Sequence, residues 1–148
     1  MQTRLGHTFR LAVCVCTLGL ATHAQAADQQ ARIQRVVDDL KSQLSIGQRV
    51  DVSVVEANPR LFSVVPQKHE ADTPATFLLS VEEAFAQALS DAELRAAVAH
   101  ELGHVWIFTH FPFLQTEELA NDIASRIVSR DDLAPLYEKV NKRSPRSH

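Results

Sequence analysis

Between residues 28 and 44 the apolar positions Ile33, Val36, Val37, Leu40 and Leu44 recur at spacings of three and four. That period places them on one face of a helix, which Gly47 then ends. The period changes after it. Val50, Val52 and Val54 alternate with polar neighbours and predict a strand over 50–55. Asn58-Pro59 is a turn signal, and 61–65 reads as a second strand, paired with the first in a hairpin. The stretch 66–74 is polar, with Lys68, His69, Glu70 and Asp72, and predicts a surface loop ahead of a third strand over 75–79. Two helix starts follow, Ser80 with Glu83 and Ser90 with Glu93, each fitting the reciprocal cap in which the serine oxygen accepts from the turn above and the glutamate reaches back. The second opens a long helix from 91 to about 108, striped by Leu94, Ala97, Val98, Val105 and Phe108. Beyond a loop around Phe111-Pro112-Phe113, two more helices are expected over 116–129 and 131–140, then a frayed basic tail over 142–148.

The first 26 residues stand apart from this pattern. Arg4 and Arg10 give a positive start, and the uncharged run 11–21 is too short to cross a bilayer, which takes about 20 residues. Ala24-Gln25-Ala26 supplies the small-x-small pattern of a signal-peptidase site, so 1–26 reads as a cleavable signal peptide with cleavage before Ala27. Both cysteines, Cys14 and Cys16, fall in that segment, so no disulfide is expected in the remainder, a single domain over 27–148. The expected location is a bacterial periplasm or the extracellular medium.

Composition narrows the class further. A chain of 148 residues with 45% hydrophobic and 22% charged residues suits one α+β domain with one core. Its formal charge of -3 provides no basic field for nucleic acid, and removal of 1–26 takes away two arginines and no acid. After 26 there is no apolar run of membrane-spanning length.

Chemistry is concentrated in His100-Glu101-Leu102-Gly103-His104, an HExxH sequence inside the long helix. Histidines four apart sit about 40° apart around a helix, one turn up, so both imidazoles can reach one ion. Neutral imidazole suits zinc, which in catalytic sites takes three protein ligands and leaves a position open for water. Glu101 is then placed to take a proton from that water as general base. His110 lies six residues after His104, the ligand spacing of HExxHxxGxxH enzymes, but fails that comparison. Ile107 stands where those enzymes have glycine, and no Met except Met1 exists to lie beneath the metal. The expected third ligand is acidic, at the start of the next helix. A carboxylate on a second helix needs small residues at +3 and +7 for close approach, and a polar +4 residue to hold a ligand histidine. From Glu117 these are Ala120, Ala124 and Asn121; from Glu118 they are Asn121, Ser125 and Asp122. Packing favours Glu117 and leaves Glu118 as the alternative. His110, Tyr137 and Arg126 are the candidate donors to a tetrahedral oxyanion.

Phe77 to Ser80, Leu89 to Leu94, Ala97 to Val105, and Glu117 with Ala120 and Asn121 together resemble the core of the gluzincin metallopeptidases of the CAAX prenyl endopeptidase and HtpX type. The resemblance covers about residues 75–130. It implies a zincin-like (minigluzincin) fold, with a small mixed sheet whose edge strand packs on the HExxH helix, and a following helix bearing the Glu ligand. It further implies a zinc endopeptidase with His100, His104 and that glutamate as ligands and Glu101 as base. The strand at 75–79 would be the edge along which a protein or peptide substrate lies in β-augmentation. The family has Asp where Asn121 stands. A rival expectation is a metal-bearing interaction module without efficient turnover.

Overall fold

The apolar stripe near the N-terminus lies on helix α1 (Val15–Gln43), where Ile33, Val37 and Leu40 are fully buried. The computed structural model describes residues 15–68, 75–110 and 113–143. Arg4, Arg10 and Cys14 of the expected signal, residues 69–74 of the expected loop, Phe111-Pro112 and residues 144–148 of the expected tail lie outside them. α1 passes unbroken through 24–26 and starts ahead of the expected 28. No helix among the described residues is long and apolar enough to cross a membrane. Ser45, at φ 56, ends the helix two residues before Gly47. Ile46 N–H donates to Lys41 O at 3.0 Å, the six-residue closure that follows a left-handed residue, and Ile46 buries against the core.

Three strands follow: β1 (Arg49–Val55), β2 (Phe62–Pro66) and β3 (Thr76–Glu82). Their order is β1-β3-β2, with β1 parallel and β2 antiparallel to β3. Two expectations are corrected here. β1 and β2 do not form a hairpin, and the strand containing 75–79 is the centre of the sheet rather than its edge. The cause is in the turn after β1. Asn58 Nδ2 donates to Ser80 O at 3.0 Å and Leu61 O accepts from Glu82 N–H at 2.8 Å, so the turn fastens to β3 and carries β2 to its far side. Burial agrees with this register. Val50, Val52, Phe62, Phe77, Leu79 and Val81 share the buried face, against which α1 and the later helices pack.

β3 runs directly into a short helix, α2 (Glu83–Gln87), whose N-cap is Glu82 with no side-chain cap bond. Ser80 therefore does not start a helix, because the alternation Phe77, Leu79, Val81 keeps it in the sheet. Ser90 does. The reciprocal cap forms at α3 (Asp91–Thr109), with Ser90 N–H donating to Glu93 Oε2 at 2.8 Å and Glu93 N–H to Ser90 Oγ at 3.3 Å. Thr116 caps α4 (Glu117–Ala124) through Leu119 N–H at 3.1 Å. α4 stops at Ser125, short of the expected 129, where Ser125 Oγ turns back to Asn121 O at 2.8 Å. α5 (Arg130–Arg143) then returns across α3, fixed by Lys139 Nζ to Glu93 Oε2 at 2.7 Å. The result is an α+β fold in which β2 and α3 form two walls of a cleft and α4 and α5 close its end.

Candidate metal centre

α3 is the central element of the site because its apolar residues leave few routes but burial. Ala96, Val98, Ala99, Leu102 and Val105 are all buried, which fixes the rotation of the helix and turns His100 and His104 into the cleft. The two rings lie 4.9 Å apart, edge to face. α4 crosses close above them. A Cβ on Gly103 would stand 2.5 Å from Ala120 O and 3.0 Å from Ala120 Cα, so only glycine permits this approach. Ala120 and Ala124 are fully buried at the crossing, the small positions expected from a Glu117 ligand.

This contact sets Glu117 over the histidines. His100 Nε2 lies 3.2 Å from Glu117 Oε2, and His104 Nε2 lies 3.6 Å from Glu117 Oε1. One ligand atom from each of the three residues falls within 4.8 Å of the others, a grouping that could hold a metal ion. The remaining ring nitrogens are occupied. His100 Nδ1 lies 2.7 Å from Asn121 Oδ1, and His104 Nδ1 lies 3.1 Å from Gln115 Oε1. An amide oxygen can only accept, so each Nδ1 carries a hydrogen, which leaves each Nε2 as the ring atom able to bind an ion. The donor set is thus two imidazole Nε2 atoms and a carboxylate, which fits a divalent transition metal.

Glu101 sits beside this group and is 8% exposed. Burial pushes its carboxyl above the usual carboxylate value, and the charge of Glu117 adds to the rise. His100, His104 and a backbone hydrogen bond from Val64 on β2 pull the other way. The Tyr137 hydroxyl donates to Asn121 Oδ1 and lies 3.2 Å from His100 Nδ1, so it braces His100 from behind. Burial raises its pKa.

The other residues singled out from the sequence are placed elsewhere. Glu118 faces a separate shallow groove with Asp122, Ser125 and Arg130. His110 caps α3, stacks on Trp106 at 3.9 Å and donates from Nδ1 to Trp106 O at 2.7 Å. α3 runs on through Ile107 to Thr109, as expected where a β-branched residue stands in place of a helix-ending glycine. Arg126 lies over the Trp106 ring at 5.3 Å. Of the three proposed oxyanion donors, only Tyr137 borders the cleft, and its hydroxyl is engaged by Asn121.

Sequence reasoning missed Gln115 and the Val64 backbone. Gln115 grips His104 twice, since its Nε2 also donates to His104 O at 3.0 Å. Its position two residues ahead of Glu117 was the available signal. The whole cleft measures about 590 Å3 and is lined by β2 from Phe62 to Pro66, by α3 from Ala97 to Phe108, and by Leu136, Tyr137 and Val140 of α5. Comparison of the chain with protein-family models, curated proteins and solved structures returned no match.

Proposed function

We propose that the chain is an exported zinc-dependent endopeptidase of the gluzincin type. The observation that carries this reading is the convergence of His100 Nε2, His104 Nε2 and the Glu117 carboxylate in a cleft beside a buried fourth group, Glu101, that is not among the ligands. Two imidazoles and a carboxylate are a catalytic rather than a structural zinc set, because they leave a coordination position open. Zinc held there supplies Lewis acidity and a water whose pKa falls toward about 7.

Glu101 has the properties of the proton carrier. Its burial keeps its basicity above that of a solvated carboxylate, which suits a group that must take a proton near neutral pH and release it again. As water adds to the scissile carbonyl carbon, Glu101 accepts its proton. As the C–N bond breaks, Glu101 returns that proton to the leaving nitrogen. Asn121 and Gln115 hold both ligand rings in the tautomer that this chemistry needs.

The substrate segment lies along β2, which is the strand that borders the cleft. Phe62, Val64 and Pro66 turn their backbone groups away from β3, as the inward bonds Gln67 N–H to Thr76 O and Glu82 N–H to Leu61 O require. Phe62 N–H donates to Arg60 O, Val64 N–H to Glu101, and Pro66 has none. The edge therefore presents carbonyl acceptors to the N–H groups of an extended peptide.

Metal analysis and peptide hydrolysis by the exported protein test the reading together. Glu101→Gln is expected to keep bound zinc near one equivalent while hydrolysis of unfolded substrates falls by at least about 100-fold. Undiminished hydrolysis in that variant refutes the assigned base, and zinc binding without hydrolysis in the wild type favours the interaction module. The exported chain is expected to begin at Ala27 by N-terminal mass analysis.

A further inference from the structure

The turn between β1 and β2 is specified more tightly than a surface connection requires. Leu61 adopts φ 64, a region that side chains with a Cβ avoid, yet Leu61 is buried and so is not replaceable by glycine without a cavity. Asn58 holds the turn from several directions. Its Oδ1 accepts from Arg60 N–H at 3.0 Å, its Nδ2 donates to Ser63 Oγ at 3.3 Å as well as to Ser80 O, and its carbonyl accepts from Leu61 N–H at 2.8 Å. What this turn holds out is Arg60, an exposed residue on the wall of the metal cleft.

Among the described residues the Arg60 guanidinium has no ion pair or hydrogen bond. Two cations of α5 are by contrast already paired, Lys139 with Glu93 at 2.7 Å and Arg143 with Glu82 at 3.3 Å. The same cleft carries apolar side chains, among them Phe62, Phe85, Leu136 and Val140. It thus offers apolar surface together with a free planar cation.

We propose that Arg60 is a specificity-determining residue, reading a carboxylate on the peptide two to four residues from the bond that is cut. The inference rests on the peptidase reading of the same site. Val64 marks the position of Glu101 along β2, and Arg60 lies four residues earlier. At about 3.3 Å per residue Phe62, where β2 begins, is roughly 7 Å along the strand from Val64, and Arg60 sits in the turn just ahead of it, two to four residues of an extended peptide from Glu101 once the length of its side chain is included. The guanidinium fork matches a carboxylate bidentately. Because the β2 edge offers acceptors without free donors, backbone pairing discriminates little, and side-chain contacts such as this one carry selectivity.

The test uses the full-length chain as Glu101→Gln, with and without zinc, and reads peptide binding by fluorescence anisotropy at low ionic strength. Amidated peptide pairs carry Asp or Asn at each of the four positions on either side of a central Leu. A further pair differs only in a free or amidated C-terminus. The Asp peptide is expected to bind about three- to tenfold tighter than its Asn partner at two to four residues on one side only. Adding Arg60→Gln brings that ratio close to one, Arg60→Lys leaves an intermediate ratio, and Arg60→Glu shifts the preference to Lys peptides. Preference confined to the free-acid pair and lost with Arg60→Gln identifies the carboxylate as a chain terminus. A ratio unchanged by Arg60→Gln, with the melting temperature also unchanged, overturns the inference. Binding needs no turnover, so a wild-type chain that discriminates but does not cut refutes the peptidase reading alone.

Discussion

Replacing Gly103 by alanine sets helix propensity against packing, and the distances decide the sign. In an exposed helix interior the change would stabilise by about 0.8–1.0 kcal/mol. Here the new Cβ meets three backbone atoms of Ala120, at 2.5, 3.0 and 3.1 Å, and backbone cannot escape by changing rotamer. Ordinary contact begins at 3.4 Å, so α4 must retreat from α3 by about 0.9 Å at this point. Overpacking of this kind costs about 1–3 kcal/mol, which exceeds the propensity gain. An approach of 2.5 Å to backbone puts the cost in the upper half of that range, so the expected net loss is about 1–2 kcal/mol, or a fall in melting temperature of roughly 3–8 °C. The proposed metal site would feel the same displacement more sharply. Glu117 and Asn121 ride on α4, while ligand distances tolerate only about 0.2 Å. Zinc affinity is expected to fall by at least about 10-fold. Thermal melts and competition titration against a chelator measure the two effects. Gly47→Ala is the control, since nothing lies within 4 Å of a Cβ there and the change should be neutral or stabilising by up to about 1 kcal/mol. A Gly103→Ala protein that melts at or above the wild-type temperature with unaltered zinc affinity would refute the reasoning.

Glu117→Ala is expected to reduce zinc affinity beyond the roughly 10–100-fold typical of losing an outer partner, whereas Glu118→Ala, which faces another groove, should stay within about twofold; equal effects in chelator titrations exclude Glu117 as the ligand. Asn121→Ala removes the acceptor of both His100 Nδ1–H and the Tyr137 hydroxyl, and should cost about 10–100-fold in zinc affinity. Glu93 is held down from 4.5 to about 2, chiefly by the Lys139 hydrogen bond and then by Ser90 N–H. The stability it contributes is complete above pH 4.5 and drains as pH falls toward 2. With Lys139 40% exposed, solvent screening limits this to about 1–2 kcal/mol. Urea midpoints of wild type and Glu93→Gln should therefore converge between pH 5 and pH 2.5, and a constant gap contradicts the ion pair.

What the sequence makes legible depends on the range of the interaction along the chain. The pairing of His100 with His104 is a property of one helix, and the Ser90 cap is closed within four residues, so local spacing was enough for both. Glu117 could be preferred over Glu118 because helix-to-helix contact leaves a trace in composition, the small residues Ala120 and Ala124. The strand order left no such trace. Asn58-Pro59 does mark a turn, but the choice between closing on β1 and fastening to β3 is made by the Asn58 side chain against Ser80 O, 22 residues away. Ser80 with Glu83 is a cap in pattern alone. Its pattern is identical to Ser90 with Glu93, but the inward alternation of Phe77, Leu79 and Val81 keeps Ser80 in the sheet. Val64 was invisible for a different reason, because its contribution is a backbone N–H on an edge and does not depend on the identity of the side chain.

The distribution of site residues has a consequence for assembly. Apart from the HExxH segment itself, the groups that touch the ligand rings from α4 and its approach, Gln115, Glu117 and Asn121, come from the single stretch 115–121. Gln115 holds His104 from one side and Asn121 holds His100 from the other, with Glu117 between them. A rigid-body shift of that stretch therefore moves Glu117, the proposed third ligand, and both tautomer-fixing amides at once, leaving on α3 only the two histidines and Glu101. The crossing of Gly103 and Ala120 sets how closely that stretch approaches α3. Tyr137 adds a check from α5, because it reaches the same Asn121 oxygen and so ties the final helix to the ligand set. On the proposed reading, metal binding and the docking of α4 on α3 are the same equilibrium viewed from two sides: a metal that binds only the docked form would stabilise the crossing with the logarithm of its free concentration, and a substitution that opens the crossing would weaken the metal.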